Sequence, residues 1–252
     1  MPLPLPPVPR LRFLGFDFVD LPMAEVVRLI AQAATQPVFR YVATPNASHL
    51  SMLDEGKGGM RALFARADFL LLDSRVVRLV ARLVRLPAPP VVPGSDLVAT
   101  VFADAVTEDT TICVIGSRPD AIAILRQRYR LKHLVHHEPP WGLATNPEAM
   151  AAAVAAALAA AADYTFIAVG SPQGEALALR IAATGQARGV GLCCGAAIDF
   201  LTGTQRRAPK LMRSLSLEWA YRLAMNPRRM LRRYLVDSTA GLALVLRAAL
   251  HR

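Results

Sequence analysis

Residues Tyr164–Gly195 read YTFIAVGSPQGEALALRIAATGQARGVGLCCG. The runs YTFIAVG (Tyr164–Gly170) and GVGLCCG (Gly189–Gly195) are apolar throughout, without the alternation of a half-exposed strand. A short strand that is apolar on both sides has to be covered on both sides, as in a parallel sheet flanked by helices. The same unit recurs upstream. FRYVAT (Phe39–Thr44), ADFLLLD (Ala67–Asp73), TTICVIG (Thr110–Gly116) and KHLVHH (Lys132–His137) are short apolar or β-branched runs. Helical stretches follow them, opening at Asn46, at VVRLVARLV, at Pro119 and at Asn146-Pro147-Glu148, where an N-cap precedes a proline at N1. Strands alternating with helices give an α/β fold: a Rossmann-like, mainly parallel, doubly wound sheet.

After Gly203 the strand pattern stops. Pro209 and Asn226-Pro227 open helical segments only, and residues 205–252 hold eleven basic but two acidic side chains. That segment carries nearly all of the chain's net charge of +10. Arg229, Arg232 and Arg233 fall on one helical face. The expected organisation is a Pro-rich leader (1–13), an α/β body (14–203) and a basic helical appendage (204–252) beyond a linker near Leu201–Ala208. Such asymmetry points to an anionic partner: nucleic acid, anionic lipid or a diphosphate.

Composition narrows the classes further. With 54% hydrophobic residues over 252 positions the chain carries a large core. Three cysteines, Cys113, Cys193 and Cys194, sit in apolar runs and read as reduced thiols. The longest apolar stretch, Ala149–Ala162, is shorter than the ~20 residues a membrane span needs, so a soluble or peripheral protein is expected. No dinucleotide fingerprint or P-loop is present, and neither the five histidines nor the cysteines have metal-ligand spacing.

In an open parallel sheet, ligands bind beyond the carboxyl ends of the strands, where helix N-termini face them. Polar residues at those expected ends are Thr44, Asn46, Asp73, Ser74, Ser117, Ser171, Gln173 and Glu175. Each also has a plainer reading as a helix cap, which is favoured for Asn46 and Ser74. Asp73 closes the apolar run FLLL and suits a general base, with capping of the next helix as the even alternative. Trp141 in EPPWG offers a stacking surface, though turn aromatics more commonly pack on the core.

Taken in order, several segments resemble the WecG/TagA/CpsF glycosyltransferases (glycosyltransferase family 26). They are VATPN (Val42–Asn46), ADFLLLD, PGSDL (Pro93–Leu97), VIGSRP (Val114–Pro119), VGSPQGE (Val169–Glu175), GAAIDFLTG (Gly195–Gly203), RRAPKLM (Arg206–Met212) and LEWAYRLAMNPRRMLRRYL (Leu217–Leu235). The resemblance implies an inverting transferase, without metal or other cofactor. It would move a sugar from a UDP-sugar to a polyprenyl-diphosphate-linked sugar in cell-surface polysaccharide synthesis. The donor sugar would be of the N-acetylmannosamine type, its uronic acid, or glucose. Asp73 would be the base, with Thr44 and Asn46 beside it. Gly94, Asp96, Ser171 and Asp199 would line the donor pocket, with Trp141, Gln173, Glu175 and Arg207 as further substrate contacts. Arg222, Arg229 and Arg232 would close over the site from the appendage, which would also dock on anionic lipid at the inner face of the cytoplasmic membrane. Three positions depart from the family pattern: Ser74 for glycine, Val91 for arginine and Gly174 for glutamine. Two other readings stand beside this one. A non-catalytic relative would scaffold a polysaccharide-assembly complex. A nucleic-acid binder would use Trp219, Tyr221 and Tyr234 among the arginines, and is disfavoured because such aromatics more often pack a helix against its body. Self-association is left open.

Overall fold

The computed structural model describes residues 6–54, 59–209, 211–212, 217–232 and 238–250, without the side chains of residues 53–54, 222, 229–230 and 232. A hairpin opens the chain: β1 (Arg10–Phe13) pairs antiparallel with β2 (Phe16–Val19) across a Leu14-Gly15 turn in which both residues have positive φ. The hairpin therefore begins inside the segment expected as a leader. Then follow α1 (Met23–Ala34), β3 (Arg40–Ala43), α2 (Ala47–Asp54), α3 (Met60–Ala65), β4 (Phe69–Leu70), α4 (Arg75–Leu83), α5 (Gly94–Asp104) and β5 (Ile112–Gly116). The body ends with α6 (Pro119–Tyr129), β6 (Leu134–His137), α7 (Pro147–Ala160), β7 (Tyr164–Ala168), α8 (Gln173–Ala183), β8 (Val190–Cys193) and α9 (Ala197–Thr202).

Strands β3 to β8 form one sheet in the order β4-β3-β8-β7-β5-β6, with every pairing parallel. Side chains alternate between two cores. Tyr41, Ala43, Cys113, Ile115 and Ile167 join α7 and α8 on one face. Val42, Ile112, Val114, Phe166 and Leu192 join α1, α5 and α6 on the other. The doubly wound α/β arrangement expected from the apolar runs is what the chain adopts, and the three cysteines are free thiols. Burial pushes the Cys113 thiol up to about 12.

β4 is shorter than its sequence ADFLLLD suggests. Beyond Leu70 the edge has a single bridge, Leu72 to Val91, and the neighbouring segment carries Pro89, Pro90 and Pro93. Prolines cannot donate to a ladder, so the edge cannot lengthen.

Among the described residues after Gly203 the elements are helices, at Glu218–Met225, Pro227–Arg232 and Ser238–Leu250. The last of these is not detached from the body. It packs on α2 and α4, and Val245 is fully buried in the same core cluster as β3 and α8. Gly241 makes the close approach: a methyl group there would lie 1.9 Å from the carbonyl oxygen of Ala47. A helix beyond the boundary expected at residue 203 thus contributes Val245 to the core of the body.

Gly241→Ala separates two effects of opposite sign. Helix propensity alone favours alanine by about 1 kcal/mol. Forcing a methyl into a packed backbone contact costs about 1–3 kcal/mol. A net loss of stability is expected in denaturant unfolding; a net gain would mean that the helix is not seated on Ala47.

Candidate functional site

The site is built by backbone hydrogen bonds at the carboxyl edge of the sheet. Leu71 N–H donates to Ala43 O and Asp73 N–H to Pro45 O, both at 2.9 Å, so the end of β4 runs alongside Thr44-Pro45-Asn46. On the other side Val92 N–H donates to Leu72 O at 2.9 Å and leads Pro93-Gly94 across the same end. Gly94 opens α5 so close to Thr44 that a Cβ there would lie 2.7 Å from its Oγ1. Thr44, Asn46, Asp73 and Gly94 are therefore neighbours, although they span fifty residues of chain.

The capping readings sort themselves out. Asn46 Oδ1 accepts from Ser48 N–H at 3.1 Å and from the Ser48 hydroxyl at 2.8 Å, so it caps α2. Ser74 Oγ accepts from Val77 N–H at 3.2 Å and caps α4. Asp73, half-buried, is thus not the cap of α4. Ser74, where the family pattern has glycine, has that structural task. Val91, in place of arginine, supplies the edge bridge to Leu72.

Asp96 lies in the first turn of α5 and is paired with Arg207, Nη1 to Oδ1 at 2.6 Å. Arg207 also meets Glu218 at 3.6 Å, and its side chain is only 15% exposed. The arginine expected at a substrate thus binds two carboxylates and ties the body to the helix Glu218–Met225. The side chains of Arg222, Arg229 and Arg232 lie outside the described residues.

A second group gathers where β5 and β7 adjoin. The chain leaves β5 toward β6 and leaves β7 toward β8, in opposite directions, which makes this the switch point where such sheets bind ligands. Gly116 has φ +94° and approaches Ala168 so tightly that a Cβ would fall 2.9 Å from its carbonyl carbon. Ser117 follows with φ 59°. Near it, burial raises the Asp199 carboxyl above the usual range, with the Ser117 hydroxyl opposing and Asp120 adding to the rise. His136, which spacing did not single out, places Nε2 3.1 Å from Gly116 O. A parallel register that sets Val114 against His136 brings it there, and no local motif announces it.

Across the crevice, Ser171 precedes the first turn of α8 through a cis peptide to Pro172. Gln173 Oε1 accepts from Ala144 N–H at 3.0 Å and so holds the loop that carries Trp141. Trp141, expected as a substrate contact, is fully exposed, so the plainer alternative of packing on the core does not hold; its loop is anchored through Gln173 and Leu143. Gly174, where the family pattern has glutamine, lets α8 settle on the end of β7, a Cβ there being 3.1 Å from Val169 O. Glu175 is only 4% exposed and lies beneath the surface of the crevice. Burial raises its carboxyl, against a hydrogen bond from Ser171.

Among the described residues no three His, Cys, Asp or Glu side chains are grouped to hold a metal ion. What the edge does present is a set of helix N-termini, those of α2, α4 and α5 around one half-buried aspartate and that of α8 at the β5/β7 crevice. Amide groups of that kind favour a bound anion.

The acids beneath the surface make stability depend on pH. A carboxyl raised in the folded state contributes stability that is present below its unfolded pKa and lost as pH rises through the folded one. Glu175→Gln removes that loss, so its stability relative to the parent should grow as pH rises above about 4.5. Unfolding at several pH values tests this, and a constant difference would refute it. Arg207→Gln should cost roughly 3 kcal/mol, as for breaking a buried pair, and expose the chain near residue 209 to limited proteolysis.

A comparison with known families covers nearly the whole chain. The model of the glycosyl transferase WecG/TagA/CpsF family matches residues 11–252, which takes in the hairpin, the sheet and the C-terminal helices alike. The six-stranded parallel sheet flanked by helices is the Rossmann-like fold expected, and the chain belongs to the WecG/TagA/CpsF family of glycosyl transferases.

Proposed function

We propose that the protein is an inverting glycosyltransferase that works without a metal ion. It takes a UDP-linked sugar of the N-acetylmannosamine type, its uronic acid or glucose to a polyprenyl-diphosphate-linked saccharide for a cell-surface polysaccharide. The observation that carries this reading is the position of Asp73. It is held beside Pro45, between the cap of α2 and the start of α5, while Ser74 does the capping. In the proposed reaction the acceptor hydroxyl attacks the anomeric carbon of the donor and its proton passes to the Asp73 carboxylate. The new carbon–oxygen bond forms as the bond to UDP breaks, and the diphosphate leaves as an anion. Helix N-termini at the carboxyl edge and arginines of the C-terminal segment meet that charge. Thr44 and Asn46 border the acceptor side. Gly94, Ser171 and Asp199 border the donor, and Trp141 is free to cover a ring.

The C-terminal segment has a second part in this reading. No helix of the described residues is long and apolar enough to cross a membrane. Yet Leu217, Trp219, Met225, Leu231, Leu246 and Leu250 are exposed in a segment rich in arginine. That combination suits docking on the anionic inner face of the cytoplasmic membrane, where a lipid-linked acceptor would lie. Nucleic acid is not part of the reading.

A second reading, a non-catalytic scaffold in a polysaccharide-assembly complex, draws on Val91 and Gly174, which stand where the family pattern has side chains able to bind a donor. Product mass spectrometry decides between them, using a panel of UDP-sugars, a short polyprenyl-diphosphate-N-acetylglucosamine analogue and EDTA in the buffer. A gain of one sugar from one donor supports the transferase. No transfer by folded protein supports the scaffold. Asp73→Asn should lower turnover by about 10²–10⁴-fold with UDP affinity little changed, and near-normal turnover would remove Asp73 as the base.

A further inference from the structure

From Ser74 to Ser95 the chain carries four arginines and no acidic residue. Most of this charge is displayed by α4. Val77 and Ala81 are buried toward the core, while Arg75, Arg78 and Arg82 face outward. On the same outward side Leu79 is 49% and Leu83 73% exposed. These leucines are one helical turn apart, so they form a continuous apolar ridge with arginines along its flank. An exposed leucine ridge on a helix that already buries its other face serves no core.

We propose that α4 is a lipid-docking helix in its own right: it lays Leu79 and Leu83 into the headgroup boundary of an anionic bilayer, with Arg78 and Arg82 on the lipid phosphates. Charge complementarity selects this occupant, because a helix with only positive side chains favours an anionic surface, and leucines between them favour one with an apolar layer beneath. The neighbourhood agrees. The helix Ser238–Leu250 packs on α4, has no acidic residue, and leaves Leu246, Arg247 and Leu250 exposed. Ser74, directly after Asp73, caps α4, so docking through α4 puts a membrane contact on the helix that adjoins the proposed base. The inference extends the reading of a lipid-linked acceptor, and it places a membrane contact in the body rather than in the C-terminal segment alone.

The test is co-sedimentation of the full chain with phosphatidylcholine vesicles, with and without phosphatidylglycerol. Arg78→Gln/Arg82→Gln should lower partitioning onto phosphatidylglycerol vesicles by roughly 30-fold, and Leu79→Gln/Leu83→Gln by roughly tenfold or more. A charge-matched control, Arg28→Gln/Arg180→Gln on α1 and α8, should change it little. All three variants alter exposed side chains, and thermal unfolding checks that each stays folded. Equal partitioning of the α4 variants and the parent overturns the proposal. So does a change in the mass of the protein in solution without a change in partitioning, which would assign the ridge to a second copy of the chain. Sugar transfer to a water-soluble acceptor is measured in parallel. Loss of vesicle binding with transfer intact supports the docking helix, and absence of transfer by the parent fails the catalytic reading without touching this one.

Discussion

A six-stranded parallel sheet covered on both faces can meet solvent only at its ends, and this constraint organises the rest of the molecule. Both cores consist of strand side chains that alternate strictly, Tyr41 and Ala43 to one side and Val42 to the other. Each crossover helix must then begin at the carboxyl edge, so the helix N-termini collect there with their unpaired amides. Polar residues at that edge serve those amides first. Asn46 and Ser74 do so visibly, and each cap contributes about 1 kcal/mol. Chemistry is left to the residues beside the caps.

The C-terminal segment obeys the same constraint from outside. α2 and α4 start at the site and present their flanks to the helix Ser238–Leu250, which covers them with Val245 and the bare backbone of Gly241. A second tie, Arg207 with Asp96 and Glu218, fastens the preceding helix to the first turn of α5. The basic part of the chain is therefore joined to the three helices whose N-termini surround Asp73. Any movement of that segment against the body has to break a largely buried ion pair, which makes Arg207 a structural joint as much as a source of positive charge.

Much of this was legible in the sequence, for a physical reason. Buried parallel strands have to be apolar on both faces, so YTFIAVG, GVGLCCG and TTICVIG announced β7, β8 and β5. Asn146-Pro147 announced α7, with Asn146 Oδ1 accepting from Ala149 N–H. What was not legible depends on contacts distant in sequence. Arg10–Phe13 looked like a leader because its partner strand is held by packing rather than by a strong turn motif. ADFLLLD gave two ladder residues because β3 runs on into Pro45, which has no N–H to donate, and its outer neighbour is rich in proline too. Gly241 carries no local signal, and its meaning appears only against Ala47. In the site, the residue types at the strand ends could be read, but the pairing of Asp96 with Arg207 and the burial of Glu175 could not.

The acids at the carboxyl edge bear on how a site proposed for an anionic leaving group tolerates carboxylates. Helix N-termini attract any negative charge, so a bare aspartate there competes with a diphosphate for the same field. Asp96 is neutralised by Arg207 at 2.6 Å. Glu175 and Asp199 are driven by burial toward their uncharged forms. Pairing in the first case and burial in the other two lessen the negative charge that these carboxyls set against the N-termini of α5, α8 and α9. In the proposed reaction a diphosphate at the carboxyl edge would meet helix amides less opposed by the protein's own side chains. Asp73 stands beside β3 and β4, at the part of that edge assigned to the base in the proposed reaction.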